Sequence, residues 1–311
     1  MDEKSMKRTF LLGAGFTYDI SHNQFPLLNE INKKVQFDKE LETKYNFRHD
    51  DIEIFFTRMD IDLAHNKNPE LKKKRDDILE QLVDLFSMKG KKILSDKTGD
   101  FFINNILRKD DIILTTNYDS YLENLLGHGK WSPHGGYGER MTYEPGRDDN
   151  RKLLNIKIFK LHGSPAFIVV KTDEKDDTGD IELQINKTEF PEFRSSLGFL
   201  KEYVKGHYLI LPSFIKPIEF NAISSLYQES IEAIRDSNIL VIIGSSLRRE
   251  DYMLWFILSY LDRKDTKIII VDPNPEPIRD NLIDILRFSP KIFTLLSGCL
   301  KDNLEELRKL L

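Results

Sequence analysis

Thr9-Phe10-Leu11-Leu12-Gly13-Ala14-Gly15-Phe16-Thr17 is the stretch on which the fold turns. An apolar run of strand length breaks into a glycine turn, the usual start of a nucleotide-binding α/β sheet. Small residues there let backbone N–H groups approach a pyrophosphate, and a helix beginning at the turn would add its positive end. The turn by itself is unspecific. The Gly-x-Gly-x-x-Gly dinucleotide pattern is incomplete, because Tyr18 stands where the third glycine would.

Outward from this turn, apolar runs recur at Ile112–Leu114, Ile156–Leu161, Tyr208–Leu211, Ile239–Ile243, Lys267–Val271 and Lys291–Leu295. Most are continuous, as strands of a parallel sheet covered on both faces must be. Between them lie amphipathic helix candidates at Asp119–Leu126, Ala222–Arg235, Asp251–Leu261, Pro277–Leu286 and Asp302–Leu310. The alternation predicts an α/β protein with a Rossmann-like, doubly wound parallel sheet and right-handed crossovers. From about 26 to 107 the spacing is helical instead. Ile52, Phe55, Phe56 and Met59 fall at i, i+3, i+4, i+7, and Ile78, Leu79, Leu82, Val83 and Phe86 repeat that face. This predicts an inserted helical module. Phe167–Val170 and Ile181–Ile185 flank a charged turn from Lys171 to Asp180, which predicts a β-hairpin excursion over about 164–190. With no internal repeat, residues 1–311 read as a single domain.

The charge balance, 46 basic against 51 acidic residues, leaves a net −5 and no excess to neutralise a nucleic-acid backbone. Nucleic acid is therefore not an expected partner. The first apolar stretch ends at Leu12 and lacks a basic start, so neither a signal peptide nor a membrane span is expected and the cytoplasm is the expected location. One cysteine, Cys299, excludes an intrachain disulfide and any zinc site built from four cysteines or a cysteine pair with two histidines. No metal ligand set is expected.

Four more motifs stand at strand ends, the edge where open α/β sheets bind ligands. In Thr115-Thr116-Asn117-Tyr118-Asp119, Asn117 can both donate to and accept from a ribose hydroxyl or carboxamide, and Asp119 can accept from an amide or cap the next helix. Taken alone, a turn with an N-cap is the commoner meaning. In Lys160-Leu161-His162-Gly163-Ser164, His162 can serve as a general base and Gly163 leaves room for a ligand, although a lone histidine before a turn is more often structural. Gly244-Ser245-Ser246-Leu247 offers hydroxyls to phosphate or ribose. Asp272-Pro273-Asn274-Pro275 places an acid where adenosine ribose hydroxyls are commonly taken. The remaining features are blander. Gly127–Gly138, with His128 and His134, reads as a surface loop or a lid; Lys72–Arg75 as a solvated helix face; Leu304, Leu307 and Leu311 as a stripe for the core or a partner.

In this order the motifs resemble the sirtuin-like family, whose members show Gly-Ala-Gly-x-Ser, Thr-x-Asn-x-Asp, His-Gly, Gly-x-Ser-Leu and a late strand ending in a ribose ligand. The resemblance runs from Phe10 to about Asn274. It is closest to the zinc-free bacterial branch found in antiphage defence, through Thr115–Asp119, Leu211-Pro212-Ser213-Phe214-Ile215-Lys216-Pro217 and Gly244-Ser245-Ser246-Leu247-Arg248-Arg249-Glu250-Asp251. The resemblance implies a DHS-like NAD-binding fold and an NAD glycohydrolase that takes NAD as substrate and releases nicotinamide and ADP-ribose. By position it implies Gly13, Ala14, Gly15, Phe16 and Thr17 around the pyrophosphate, with Thr17 keeping the hydroxyl of the usual serine. Asn117 would orient the nicotinamide ribose or the attacking water, Asp119 would lie near the carboxamide, and His162 would be the base. Gly244, Ser245 and Ser246 would face the adenosine side, with Asp272 and Asn274 at its ribose. It further implies control through homo-oligomerisation or a partner such as a HerA-type ATPase. Two alternatives stay open: a non-catalytic NAD or ADP-ribose sensor, and an NAD-dependent protein deacylase, whose four zinc-binding cysteines this chain lacks.

Overall fold

Nine strands are defined in the computed structural model, which describes residues 6–47, 52–94, 96–133, 135–138, 156–171, 181–190, 203–214, 221–262 and 266–311. They are β1 (Arg8–Leu12), β2 (Ile112–Thr115), β3 (Lys157–Lys160), β4 (Gly163–Lys171), β5 (Ile181–Ile185), β6 (Tyr203–Leu209), β7 (Ile239–Ile243), β8 (Lys267–Asp272) and β9 (Phe293–Ser297). Six of them form one sheet in the order β3-β2-β1-β7-β8-β9. Every pairing in it is parallel, with Phe10 opposite both Ile113 and Val241. β1 and β7 are buried along their whole lengths, which is why β7 and the Phe10–Leu12 part of β1 are apolar without alternation. From β1 the chain builds outward through β2 and β3, then crosses to the other side at β7. The sheet is thus doubly wound, and its switch point lies between β1 and β7.

The helices are α1 (Ala14–Ile20), α2 (Leu28–Lys34), α3 (Lys39–Lys44), α4 (Ile52–Asn66), α5 (Pro69–Phe86), α6 (Lys97–Phe101), α7 (Tyr121–Lys130), α8 (Asn221–Arg235), α9 (Tyr252–Leu258), α10 (Pro275–Leu286) and α11 (Leu300–Leu310). Helices α2 to α6 occupy the chain between α1 and β2. α5 starts where Asn68 accepts from the N–H groups of Glu70 and Leu71 and Pro69 sits at the first turn. Its buried face is Leu71, Ile78, Leu82, Val83 and Phe86. The basic run on its other face is ion-paired: Lys72 with Asp76, Lys74 with Asp38 and Glu40, Arg75 with Asp60. At the sheet's amino edge Arg8 is buried against Asp111 (2.8 and 2.5 Å) and the Ile106 carbonyl (2.8 Å), the full pairing that a buried charge requires.

Two sequence expectations change here. The run at Tyr208–Leu211 contributes to β6, which belongs to a separate antiparallel sheet of order β5-β4-β6, not to the main sheet. A short apolar run carries no information about which neighbour it will pair with. The β4–β5 pair is the expected hairpin, and its charged turn, residues 172–180, lies outside the described residues. The stretch around Gly127–Gly138 is neither a lid nor a surface loop where it is described. Trp131 and Tyr137 are fully buried and make tilted and edge-on ring contacts with Phe190 and Phe167, and Ile158 N–H donates to Gly136 O at 2.7 Å. His134 and the side chain of His128 lie outside the described residues. The stripe on α11 faces inward: Leu307 is fully buried, and Leu304 and Leu311 pack against the core. No helix among the described residues is long and apolar enough to cross a membrane.

Candidate active site

A cavity of about 620 Å³ opens at the carboxyl edge of the main sheet over the switch point, a size typical of small-molecule sites. Of the residues expected at the site, all but Phe16 and Asn274 line it. Phe16 points into the core, 1% exposed and edge-on to Phe102 at 5.0 Å. The helical turn of α1 forces this, because its neighbours Gly15 and Thr17 are the ones turned to the cavity. Asn274 is exposed at the start of α10, its N–H bonded to Asp272 Oδ1 at 2.9 Å.

The glycines have a reason the motif does not disclose. A Cβ on Gly13 would collide with Gly244 O, and one on Gly244, whose φ is +57°, would collide with Phe16 N. The turns after β1 and β7 therefore touch backbone to backbone. Gly13 N–H donates to Ile243 O (3.0 Å), Gly15 N–H to Gly244 O (2.9 Å) and Phe16 N–H to Gly13 O (3.0 Å). These three donors are engaged within the protein, so the turn shapes the cavity floor more than it supplies free N–H groups. Gly163 behaves likewise: at φ +76° its missing side chain makes room for the Tyr208 carbonyl on β6, not for a ligand.

Asn117 locks the first turn. Its Nδ2 donates to Gly13 O (2.8 Å) and Thr17 Oγ1 (2.9 Å), while its N–H donates to Thr115 Oγ1, which itself donates to Leu12 O. The carbonyl of Gly13 can only accept, so the amide must present its NH₂ there, and Oδ1 is left as the acceptor on its other side. Asp119, one residue before the N-cap Ser120 of α7, accepts from Tyr121 N–H, the first of the helix, at 3.1 Å. Burial pushes its carboxyl up to about 6, with nearby Lys160 opposing and Glu123 reinforcing the rise. Beneath it Lys160 bonds the Asp119 carbonyl and pairs with Glu123 (3.1 Å), which also accepts from Tyr137 OH (2.9 Å). Toward β8 and β9, burial also pushes up Asp272 and Asp19, and Asp19 Oδ2 accepts from Leu300 N–H at 3.1 Å.

His162 lies at the end of β3 with Nε2 2.9 Å from Asp251 Oδ2, the side chains 15% and 11% exposed. Tyr118, whose hydroxyl donates to Ile210 O at 2.6 Å, brings its ring within 6.4 Å of the imidazole. Asp251, Glu53 and Arg248 had no assigned chemistry in the sequence reading. Arg248 is the one Lys or Arg lining the cavity among the described residues, and it is ion-paired with Glu53 from α4. Nothing at α4 signals this, since Glu53 reads as an ordinary acid in the first turn of a helix. Among the described residues, no group of three His, Cys, Asp or Glu is arranged to hold a metal ion.

No protein-family model matches the chain, and no curated protein matches it. Among solved structures it is similar to a Sir2 enzyme studied for mechanism and regulation, at 16% identity and TM-score 0.47, over 98% of this chain and 92% of that one. A Sir2-homologue mutant in complex with ADP-ribose gives 14% and 0.45, over 100% and 96%. A Sir2 homologue in complex with NAD gives 14% and 0.43, over 98% and 90%.

Proposed function

We propose that the chain is a sirtuin-like NAD glycohydrolase that cleaves NAD to nicotinamide and ADP-ribose. The observation that carries this reading is one cavity at the sheet's switch point shared by Asn117, His162, the turns at Gly13 and Gly244, and Asp272. These residues are the motifs of the family resemblance, and they converge from five separate strand ends.

The chemistry fits what the walls offer. The nicotinamide to ribose bond breaks through an oxocarbenium-like state, and the cationic nicotinamide leaves as a neutral base without needing an acid. Five carboxylates line the cavity, Asp19, Glu53, Asp119, Asp251 and Asp272, a field that favours positive charge on the ribose. On this reading Asn117 Oδ1 accepts from a ribose hydroxyl or the attacking water, and His162 takes the water's proton. Following the branch it resembles, the protein would act as a regulated effector of antiphage defence, held in check by oligomerisation or a HerA-type partner.

The test is incubation of the purified chain with NAD, alone and with a candidate partner, following nicotinamide and ADP-ribose by chromatography. His162→Ala is expected to abolish release while leaving the protein folded. Binding of NAD without turnover in every condition would overturn the hydrolase reading in favour of a sensor, and turnover of an acyl-peptide would favour a deacylase.

A further inference from the structure

His162 and Asp251 are brought together from different parts of the chain. His162 follows β3, and Asp251 opens α9 after β7. Each is fixed by its own backbone. The His162 carbonyl accepts from Ile210 N–H (2.8 Å), and the preceding Leu161 carbonyl accepts from Tyr227 OH (2.6 Å). Asp251 N–H donates to Arg248 O (3.2 Å), a carbonyl that also accepts from Trp255 Nε1 (2.8 Å). The two carboxylate oxygens divide their work: Oδ1 caps α9 by accepting from Leu254 N–H (3.4 Å), and Oδ2 lies 2.9 Å from His162 Nε2. The capping bond is long, whereas the contact with the imidazole is short. Both residues line the cavity, whose wall here also carries Tyr118, Glu53 and the Arg248 guanidinium paired with Glu53.

We infer that Asp251 is a positioning residue for His162: it accepts the Nε2–H, fixes the tautomer whose Nδ1 takes a proton, and stabilises the imidazolium that forms. This is the logic of a base oriented by a third group, reached here through a helix cap. The inference rests on the hydrolase reading of the same cavity. In the step it serves, a water oxygen bonds to the ribose anomeric carbon as the bond to nicotinamide breaks. Nicotinamide leaves with the electron pair as a neutral molecule, and the water's proton passes to His162 Nδ1 and then to solvent.

Two variants separate this role from capping. Asp251→Ser keeps a good N-cap acceptor but cannot reach the imidazole; Asp251→Asn keeps the shape and removes the charge. Both are compared with wild type and His162→Ala for NAD turnover across pH, and the His162 ring is followed by ¹⁵N NMR, which reports the proton-bearing nitrogen without any turnover. The expected result is a kcat about 100-fold lower in Asp251→Ser, a KM for NAD within threefold, an altered pH profile, and a double variant that is no less active than His162→Ala alone. In the NMR spectra, wild type shows a single Nε2–H tautomer and Asp251→Ser a mixture. Unchanged kcat and pH profile in Asp251→Ser, beside an inactive His162→Ala, would overturn the inference and leave the hydrolase reading intact. Wild type with no turnover under any condition would remove the hydrolase reading, and the ring spectra would still decide: identical spectra in wild type and Asp251→Ser overturn the pairing, and a lost tautomer upholds it.

Discussion

Replacing Asp119 with Asn isolates what a buried carboxylate costs this fold. Desolvation raises its acid from the ordinary 3.8 to about 6, even against the opposing charge of Lys160. A carboxyl that holds its proton more tightly in the folded chain than in the unfolded one subtracts stability as pH rises. The loss begins near pH 4, where the unfolded chain ionises, and is complete above about 6, where the folded protein has ionised as well. The gap between 3.8 and about 6 amounts to about 3 kcal/mol at pH 8 and roughly half of that at pH 5. Asn keeps the oxygen that accepts from Tyr121 N–H and copies the neutral form of the acid. Asp119→Asn should therefore stabilise the protein by this amount at pH 8, and by about half as much at pH 5. Urea unfolding of both proteins, followed by tryptophan fluorescence at the two pH values, measures it. A variant less stable than wild type at pH 8, or a gain that does not shrink at pH 5, would refute the reasoning.

Other outcomes follow from particular contacts. Phe16→Ala should cost about 3–5 kcal/mol in unfolding free energy, as for other buried aromatics, while leaving the KM for NAD within twofold, because the ring lies in the core and outside the cavity. Gly13→Ala should lose most soluble folded protein, measured by expression and circular dichroism, since its Cβ meets the Gly244 carbonyl. Arg248→Ala should raise the KM for NAD about tenfold, the value of one charge-assisted hydrogen bond, with kcat unchanged. Under the proposed function, Glu53→Gln should lower that KM instead, by releasing the Arg248 cation of the cavity wall toward an anionic substrate; because Arg248 is 44% exposed and Glu53 19%, their own pairing adds under about 1 kcal/mol to stability. Asn117→Ala should lower stability by about 1–3 kcal/mol, the net worth of the two hydrogen bonds it loses, to Thr17 Oγ1 and to Gly13 O, which keeps Phe16 N–H, and should abolish turnover in a protein that still folds.

Read from the sequence alone, the main sheet was accessible because its central strands are buried on both faces. Ile239–Ile243 has the same bounds in both readings, and Lys267–Val271 differs from β8 by one residue. Turn residues at the ends of these runs marked the edge that would carry the motifs. Asn117, His162 and Asp272 were visible for that reason. The sequence could not show what each group touches. Gly163 reads as room for a ligand and Gly13 and Gly244 as turns open to one, but the missing side chains make way for the backbone of another strand's turn or of β6. Phe16 sat inside the motif, and only the helical turn of α1 revealed that it points away. Tyr208–Leu211 looked like the other strands, since hydrophobicity says that a run is buried and not beside which neighbour. Asp251 and Glu53 carried no signal, because an acid at a helix start has an adequate local use as a cap or a dipole partner. Local propensity and burial are properties of a segment and were written in the sequence. The pairing of His162 with Asp251, of Arg248 with Glu53 and of one glycine turn with another depends on contacts between segments far apart in the chain, and only the tertiary structure decided those.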